Sequence, residues 1–262
     1  MKEKNLAAWV ALAVNDYGMI EPGDRIAVGV SGGMDSTALL LLLHSRLPRV
    51  KPDFELFPVL IDNFNGENPA YTEKIAILAA FIRDETGLEL TVIPVDSMWR
   101  LTLPEQKKRD VCYLCAARRR AELFRFAEKN GCRRIALGHH KDDIIETSMM
   151  NLLFKRELSS MLPRLPLFGG RVDIIRPLAY VSKSKIEAFI WEREKEAPVF
   201  GEVCPSKVAR KDLRREQVRS LLAELGREVP HLRDNLFAAF RNPKPDYLLN
   251  FGFHPRNAHP EK

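Results

Sequence analysis

Five short apolar segments rich in β-branched residues alternate with longer segments of helical periodicity, and this alternation constrains the fold most strongly. The segments that predict strands are Arg25–Val30, Phe57–Ile61, Leu90–Val95, Arg134–Leu137 and Val172–Ile175. The segments that predict helices are Ser36–Arg46, Ala70–Thr86, Ala116–Asn130, Asp143–Phe154 and Ser184–Lys195. Such alternation requires a mainly parallel sheet covered by helices on both faces. We therefore predict a doubly wound α/β fold with a five-stranded sheet, whose functional residues lie in the loops after the strands.

The segments outside this alternation are helical or irregular. Residues 1–18 carry apolar side chains at roughly helical spacing and predict an N-terminal amphipathic helix. Beyond residue 198 the chain has a loop, two helical patterns over Lys211–Leu225 and Pro230–Phe240, and a proline-rich tail without periodicity. We therefore divide the chain into the N-terminal helix, a main α/β domain at 22–197 and a C-terminal extension at 198–262.

Composition and termini predict a cytoplasmic globular protein that does not span a membrane. No apolar run approaches the roughly 20 residues that a bilayer-spanning helix needs, and the N-terminal segment lacks a secretory cleavage site. The 262 residues include four cysteines, which are too few for a disulfide framework in a chain of this size. Metal, redox and sulfur chemistry are therefore open to these cysteines.

A glycine turn with the sequence S-G-G-M-D-S, Ser31–Ser36, joins the first predicted strand to an apolar helix. Paired glycines let successive amide hydrogens converge on an anion, and the N-terminus of the following helix adds partial positive charge. The turn matches neither a Walker A loop nor a Rossmann fingerprint. The alternative interpretation is an ordinary turn in which Asp35 or Ser36 caps the helix. We favour a phosphate site because a strand and a helix flank the turn.

A second segment, Ile135–Thr147, follows the fourth predicted strand with the sequence I-A-L-G-H-H-K-D-D-I-I-E-T. Its adjacent carboxylates, Asp142 and Asp143, begin a predicted helix and could hold a hard cation together with substrate phosphates. The alternative interpretation is a helix cap with an acidic first turn.

Together the two segments resemble the N-type ATP pyrophosphatases, whose PP-loop has the pattern S-G-G-x-D-S and whose strand-four signature is L-G-H-H-x-D-D-x-x-E-T. The resemblance implies an adenine nucleotide alpha hydrolase-like fold and cleavage of ATP between the α- and β-phosphates, which leaves AMP on the substrate. It also implies that Asp35 binds Mg²⁺. The residues expected to contact the nucleotide are Val30, Ser31, Gly32, Gly33, Asp35, Ser36, Ile61, Asp62, Gly138, His139 and Asp143.

Three cysteines lie in predicted loops or at a helix start, where thiolates form readily. Cys112 and Cys115 form a C-x-x-C pair, and Cys204 lies far along the chain. Because no fourth protein ligand is evident, the set suits a [4Fe-4S] cluster with one open iron. Zinc, a persulfide pair and buried thiols are the alternatives. Cys132 precedes a strand, where a small apolar residue usually packs, and is assigned to structure.

The three cysteines narrow the resemblance to the tRNA 2-thiolation enzymes, which comprise the 2-thiocytidine synthetases and their 2-thiouridine relatives. The segments Met161–Pro163 and Ile175–Leu178 resemble secondary motifs of these enzymes. The chain differs from most 2-thiocytidine synthetases at Met34, where they carry lysine, and after Cys204, where they carry a second C-x-x-C. The resemblance leaves the modified base, cytidine or uridine, open.

Basic clusters lie on both sides of the cysteines, and the formal net charge is +6. They are Lys107–Arg109, Arg118–Arg120, and Arg210, Lys211, Arg214 and Arg215. Any one cluster is typical of a solvated helix face, whereas several beside one site indicate an RNA backbone.

The resemblance implies that ATP with Mg²⁺ adenylates a pyrimidine O2 of tRNA, after which sulfur on the open iron displaces AMP. It gives catalytic roles to Arg119, Asp142 and the three cysteines, and requires a sulfur donor such as a cysteine desulfurase or sulfide. Family members are often dimers, although nothing in the periodicity requires one. The rival functions are a cluster-free PP-loop ligase such as tRNA lysidine synthetase, a sulfurtransferase for a small molecule, and a nucleotide sensor without turnover.

Overall fold

The computed structural model describes residues 3–45, 53–95, 111–192 and 213–248. The helices are α1 (Glu3–Asp16), α2 (Met34–His44), α3 (Pro69–Thr86), α4 (Val111–Lys129), α5 (Lys141–Met150), α6 (Lys183–Trp191), α7 (Leu213–Glu228) and α8 (Leu232–Arg241). The strands are β1 (Arg25–Gly29), β2 (Glu55–Asp62), β3 (Thr91–Pro94), β4 (Arg134–Ala136), β5 (Arg164–Leu167) and β6 (Val172–Ile175). A π-helical turn over Asn151–Lys155 extends α5, and the turn Pro177–Tyr180 precedes α6.

The strands form one sheet in the order β3-β2-β1-β4-β6-β5, in which only β5 runs antiparallel to its neighbour. The predicted mainly parallel sheet is confirmed, but the predicted number of five strands is wrong, because the described residues contain six. The additional strand, β5, has the sequence R-L-P-L, which a proline interrupts. Proline is tolerated in β5 because this strand lies at the sheet edge and pairs only with β6 within the described chain.

Helix α4 begins earlier than the sequence indicates. It is helical from Val111, whereas the periodicity predicts a start near Ala116. The C-x-x-C pair therefore lies inside the first turns of the helix and not in a loop before it. The polar and apolar residues of this short stretch fit a helix as well as a loop, so periodicity alone does not fix the start.

Helices cover both faces of the sheet, as predicted. The larger core lies between the sheet and α1, α2, α3, α5 and α6, and helix α2 runs through its centre. Leu39, Leu40, Leu42 and Leu43 of α2 are all fully buried, which is typical of a helix surrounded by protein. The smaller core lies under α4, where Leu123 and Ala127 pack against Ala27, Val59 and Ile135 of the strands.

A buried ion cluster lies at the amino ends of the central strands. Arg134, the first residue of β4, is 2% exposed and donates to both Asp24 and Asp173. Its guanidinium lies 3.0 Å from Asp24 Oδ2 and 2.9 Å from Glu21 Oε1. Arg164 Nε donates to the same Asp173 carboxylate at 2.7 Å. The charges of this cluster are therefore paired within the protein.

The C-terminal helices α7 and α8 pack on α5 and on each other. They lie close to the two predicted helical patterns, while the predicted domain boundary at residues 197 and 198 lies outside the described residues. Among the described residues, no helix has both the length and the apolar character required to cross a bilayer.

Candidate active site

A cleft of about 370 Å³ opens at the carboxyl ends of β1, β2 and β4. Its lining comprises Gly29, Val30, Ser31, Asp35, Ser36, Val59, Ile61, Ala116, Arg119, Arg120, Leu123, Leu137, Gly138, His139 and Asp143. The sequence predicts nine of these as nucleotide-binding or catalytic, namely Val30, Ser31, Asp35, Ser36, Ile61, Arg119, Gly138, His139 and Asp143. The lining combines apolar side chains with residues of the glycine loop, a composition that suits a ligand with an aromatic and an anionic end.

The loop Ser31–Ser36 is tied together by its own serine hydroxyls. Ser36 Oγ accepts a hydrogen bond from Ser31 N at 3.0 Å, donates to Gly33 O at 3.0 Å and lies 3.1 Å from Ser31 Oγ. Gly32 takes a φ of +77°, which favours glycine. Helix α2 has Gly33 as its N-cap residue, so neither Asp35 nor Ser36 caps it as in the alternative interpretation. The geometry instead leaves the loop facing the cleft at the positive end of α2.

Gly138 is required by the close approach of two backbones. A Cβ atom at this position would lie 2.9 Å from Ser36 N and 3.0 Å from Asp35 C. Any side chain would therefore push the glycine loop away from β4. The glycine in this signature has a packing reason that the sequence pattern alone does not reveal.

The Asp35 carboxylate is the charged centre of the site. Lys183 Nζ, at the start of α6, donates to Asp35 Oδ1 at 2.7 Å. His140 Nε2 lies 3.9 Å from the same oxygen. Asp35 also borders the cleft, so it connects the loop to α6 and to the segment after β4.

His140 and Asp143 form a capping box at the start of α5. Asp143 N donates to His140 Nδ1 at 3.4 Å, and His140 N donates to Asp143 Oδ2 at 3.1 Å. The alternative interpretation of this segment as a helix cap is therefore correct for these two residues. Asp143 nevertheless also lines the cleft.

His139 is held in its neutral form. Burial and the nearby charge of Arg176 lower the pKa of His139 to about 4. Its Nδ1 is buried and has no hydrogen-bond partner within the described part of the chain. The side chain therefore presents a neutral imidazole to the cleft at physiological pH.

Two predicted site carboxylates, Asp142 and Asp62, have hydrogen-bond partners within the protein. Asp142 Oδ1 accepts from Arg233 Nη1 at 2.8 Å and Asp142 Oδ2 accepts from Lys183 N at 2.7 Å. The two Asp62 oxygens accept from Phe64 N and Gly66 N, both at 2.8 Å. Neither aspartate lines the cleft as the described residues form it. Asp142 therefore links α6 to α8, and Asp62 orders the loop after β2. The catalytic role of Asp142 and the nucleotide contact of Asp62 stay predictions.

Helix α4 brings cationic groups to the cleft, and Cys115 lies next to one of the lining residues in the chain. Arg119 and Arg120 line it together with Ala116 and Leu123. Cys115 immediately precedes Ala116, is partly exposed, and its Sγ lies 3.6 Å from Asn63 Oδ1. Position 112 lies one helical turn earlier on α4, and Cys204 lies outside the described residues.

The remaining cysteine has a structural environment, as predicted. Cys132 is 2% exposed in the smaller core, and burial raises its pKa to about 11. Its thiol is therefore unreactive at neutral pH.

A sequence profile described as the PP-loop domain matches residues 3–197 of this chain. The chain belongs to the PP-loop family. The sequence is also similar to two enzymes named tRNA-cytidine(32) 2-sulfurtransferase. The protein of Pelobacter propionicus is 37% identical over 244 residues, which cover 92% of this chain and 86% of the relative. That of Geobacter sulfurreducens is 35% identical over 250 residues, which cover 95% of this chain and 94% of the relative.

The fold of this PP-loop protein is similar to that of the U34-tRNA thiolase NcsA from Methanococcus maripaludis, solved with its [4Fe-4S] cluster. The TM-score is 0.69 over 91% of this chain and 77% of the other, at 20% sequence identity. At that identity the likeness supports the fold alone. It confirms the predicted fold class.

The sequence does not predict the contacts of several residues around the PP-loop. Lys183 is not predicted, although its position at the start of a helix, shortly after the segment Ile175–Leu178, is a signal. Glu146, the glutamate of the strand-four signature, accepts from Arg215 Nε at 3.1 Å and from Arg219 Nε at 2.9 Å. Arg215, which the sequence assigns to a basic RNA-binding cluster, therefore has a partner inside the protein.

Proposed function

We propose that this protein is an ATP-dependent tRNA 2-sulfurtransferase that converts cytidine 32 to 2-thiocytidine. The observation that carries the proposal is that Cys115 directly precedes Ala116, a residue that lines the same cleft as the PP-loop, so that a cysteine neighbours the proposed ATP site in the chain. Relatives that are 35–37% identical and named tRNA-cytidine(32) 2-sulfurtransferase support it. The U34-tRNA thiolase shares only 20% identity, so cytidine is favoured over uridine.

The lining of the cleft includes groups suited to each end of ATP. The apolar side chains Val59, Ile61, Leu123 and Leu137 suit the adenine ring. The triphosphate then extends toward the PP-loop, where backbone amides, the serine hydroxyls and the N-terminus of α2 stabilise negative charge.

Asp35 and Asp143 are the carboxylates of the cleft that we assign to Mg²⁺. Both line it, and hard oxygen ligands together with phosphate oxygens are what this cation prefers. The described residues include no cluster of three or more His, Cys, Asp or Glu side chains arranged as a metal site. We therefore infer a cation held jointly by protein and nucleotide.

The proposed reaction has two redox-neutral steps. First, the cytidine O2 attacks the α-phosphorus, the bond to the bridging oxygen breaks, and pyrophosphate leaves. Hydrosulfide then attacks C2, the C2–O2 bond breaks, AMP leaves with the oxygen, and the proton of the hydrosulfide goes to solvent. Arg119, on the α4 wall, stabilises the negative charge that develops on the phosphates.

Two of the three cysteines that we assign to an iron–sulfur cluster belong to α4. Positions 112 and 115 are three positions apart on this helix, a spacing that makes them neighbours on it. Cys115 is partly exposed and directly precedes Ala116, which lines the cleft. A [4Fe-4S] cluster held by Cys112, Cys115 and Cys204 would supply an iron that is open to sulfide.

The proposed partners follow from this chemistry. A tRNA anticodon loop presents an unstacked cytidine more readily than a duplex does. The sulfur donor is a cysteine desulfurase or free sulfide, the location is the cytoplasm, and a homodimer is the expected assembly.

An anaerobic thiolation assay tests the proposal. The reconstituted protein is incubated with ATP, Mg²⁺, a tRNA transcript and either sulfide or lysine, and the digested nucleosides are analysed by mass spectrometry. We expect 2-thiocytidine from a transcript with cytidine at position 32 and none from the matched transcript with uridine there. Incorporated lysine together with an absence of iron would support a lysidine-type ligase instead, and binding of ATP without pyrophosphate release would support a sensor.

A further inference from the structure

The PP-loop of this protein carries no cationic side chain of its own. Its sequence, S-G-G-M-D-S, has Met34 between the glycines and Asp35. The triphosphate of ATP is strongly anionic, and its leaving pyrophosphate gains charge as the bond to the α-phosphate breaks. Two arginines, Arg119 and Arg120, line the cleft, but both belong to α4 and not to the PP-loop.

Lys183 brings an ammonium to the loop from the other face of the sheet. Its helix, α6, packs against α2, and its Nζ lies 2.7 Å from Asp35 Oδ1. Asp35 is in the first turn of α2 and borders the cleft, so the ammonium lies at the phosphate end of the site. An ammonium has three donors, of which Asp35 engages one.

The main chain of Lys183 is fixed while its side chain is partly open to solvent. Lys183 N donates to Asp142 Oδ2 at 2.7 Å, and Arg233 of α8 holds the other oxygen of that carboxylate. The Lys183 side chain is 34% exposed and that of Asp35 is 32% exposed. An ion pair as exposed as this one contributes little to the free energy of folding. A contribution to stability therefore does not explain why Lys183 lies beside Asp35.

We infer that Lys183 is a further catalytic residue, which contacts the β- or γ-phosphate of bound ATP and stabilises the departing pyrophosphate. Binding of Mg²⁺ and ATP transfers its ammonium from Asp35 to a phosphate oxygen and leaves Asp35 to the cation. Lysine serves as such a point charge for phosphates elsewhere. The inference rests on the proposed cleavage of ATP between the α- and β-phosphates and not on the identity of the RNA base.

The test compares Lys183→Met with the matched control Lys185→Met. Lys185 is two residues further along α6, and its Nζ lies 5.1 Å from the centre of the Trp9 ring, away from the cleft. For Lys183→Met we expect the affinities for ATP and for pyrophosphate, measured by calorimetry, to fall by about tenfold to a hundredfold. The affinity for AMP should stay within about twofold, and Lys183→Arg should restore part of the loss.

Two results would overturn the inference. One is an unchanged affinity of Lys183→Met for ATP and pyrophosphate. The other is an equal loss of affinity for AMP and ATP, which would indicate that Lys183 only shapes the loop through Asp35. If Lys183→Met does not fold, Lys183→Gln provides the same comparison. If the wild type fails to thiolate tRNA, the proposed function fails, while the difference between ATP and AMP still tests Lys183.

Discussion

The two ends of the central strands use charge in opposite ways. At the amino ends, Arg134 is 2% exposed and its guanidinium contacts Asp24, Asp173 and Glu21. At the carboxyl ends, Arg119 and Asp143 face an open cleft, and the pair between Lys183 and Asp35 is about one third exposed. The charges of the first cluster pair with one another, whereas those of the second are accessible to a ligand.

This difference separates stability from function within one sheet. A buried ion pair is costly to break because the remaining charge has no water to solvate it. Exposed charges contribute little to folding but can bind an anion or a metal ion. We therefore expect substitutions at the amino ends to change the free energy of unfolding, and substitutions at the carboxyl ends to change catalysis and ligand binding.

The largest effect is expected at the cleft, from Cys115→Ala. Without the thiol, tRNA thiolation should fall by more than about a thousandfold, since no other group replaces a thiolate ligand. The affinity for ATP should remain within about twofold. Product formation by mass spectrometry and ATP binding by calorimetry check this. Cys132→Ala is the matched control because Cys132 lies in the smaller core, and substantial thiolation by Cys115→Ala would contradict the assigned role.

At the opposite end, Arg134→Met should lower the free energy of unfolding by about 3–5 kcal/mol, because it leaves Asp24 and Asp173 buried with less compensation. Urea denaturation measures this change. The folded fraction should retain wild-type affinity for ATP. Arg25→Met is the control, because the pair between Arg25 and Glu55 is exposed and should contribute at most about 1 kcal/mol. Equal losses for the two variants would refute the distinction between closed and open clusters.

A smaller effect is expected from Gly138→Ala, which places a methyl group against the PP-loop. The displaced loop should bind ATP about tenfold to a hundredfold more weakly, which corresponds to about 1.4–2.8 kcal/mol. Gly226→Ala in α7 is the control, since a Cβ there meets nothing within 4 Å and alanine favours a helix. Wild-type ATP affinity of Gly138→Ala would show that the loop does not depend on this close approach.

The smallest effect is expected at His139, which lies at the carboxyl ends of the strands. Its lowered pKa makes the folded protein less stable at acidic pH. Its folded pKa of about 4 lies below the ordinary value of 6.5. The unfolded chain therefore takes up a proton first as the pH falls from 6.5 to 4, so acidification favours unfolding. We expect His139→Gln to reduce this loss of stability by about 1–2 kcal/mol, as measured by denaturation at several pH values. Parallel pH profiles of the variant and the wild type would contradict the shift.

The strand predictions that the structure confirms depend on local sequence patterns. The five predicted strands each coincide with an observed strand to within two residues at each end, because β-branched runs between turns are typical of buried parallel strands. The glycine turn between β1 and α2 is open to prediction because its conformation depends on adjacent residues. The sequence does not predict the sixth strand, β5, because a four-residue edge segment with a proline has no periodicity.

The sequence by itself determined the parallel α/β fold and the PP-loop at the end of β1, since both depend on residue types at short spacing. Only the tertiary structure decided which charges meet. Lys183 reaches Asp35 across 148 residues, and Asp142 joins α6 to Arg233 instead of lining the cleft. Such pairings arise when helices pack on a sheet, and because packing is set by the shapes of whole elements, no local pattern encodes them.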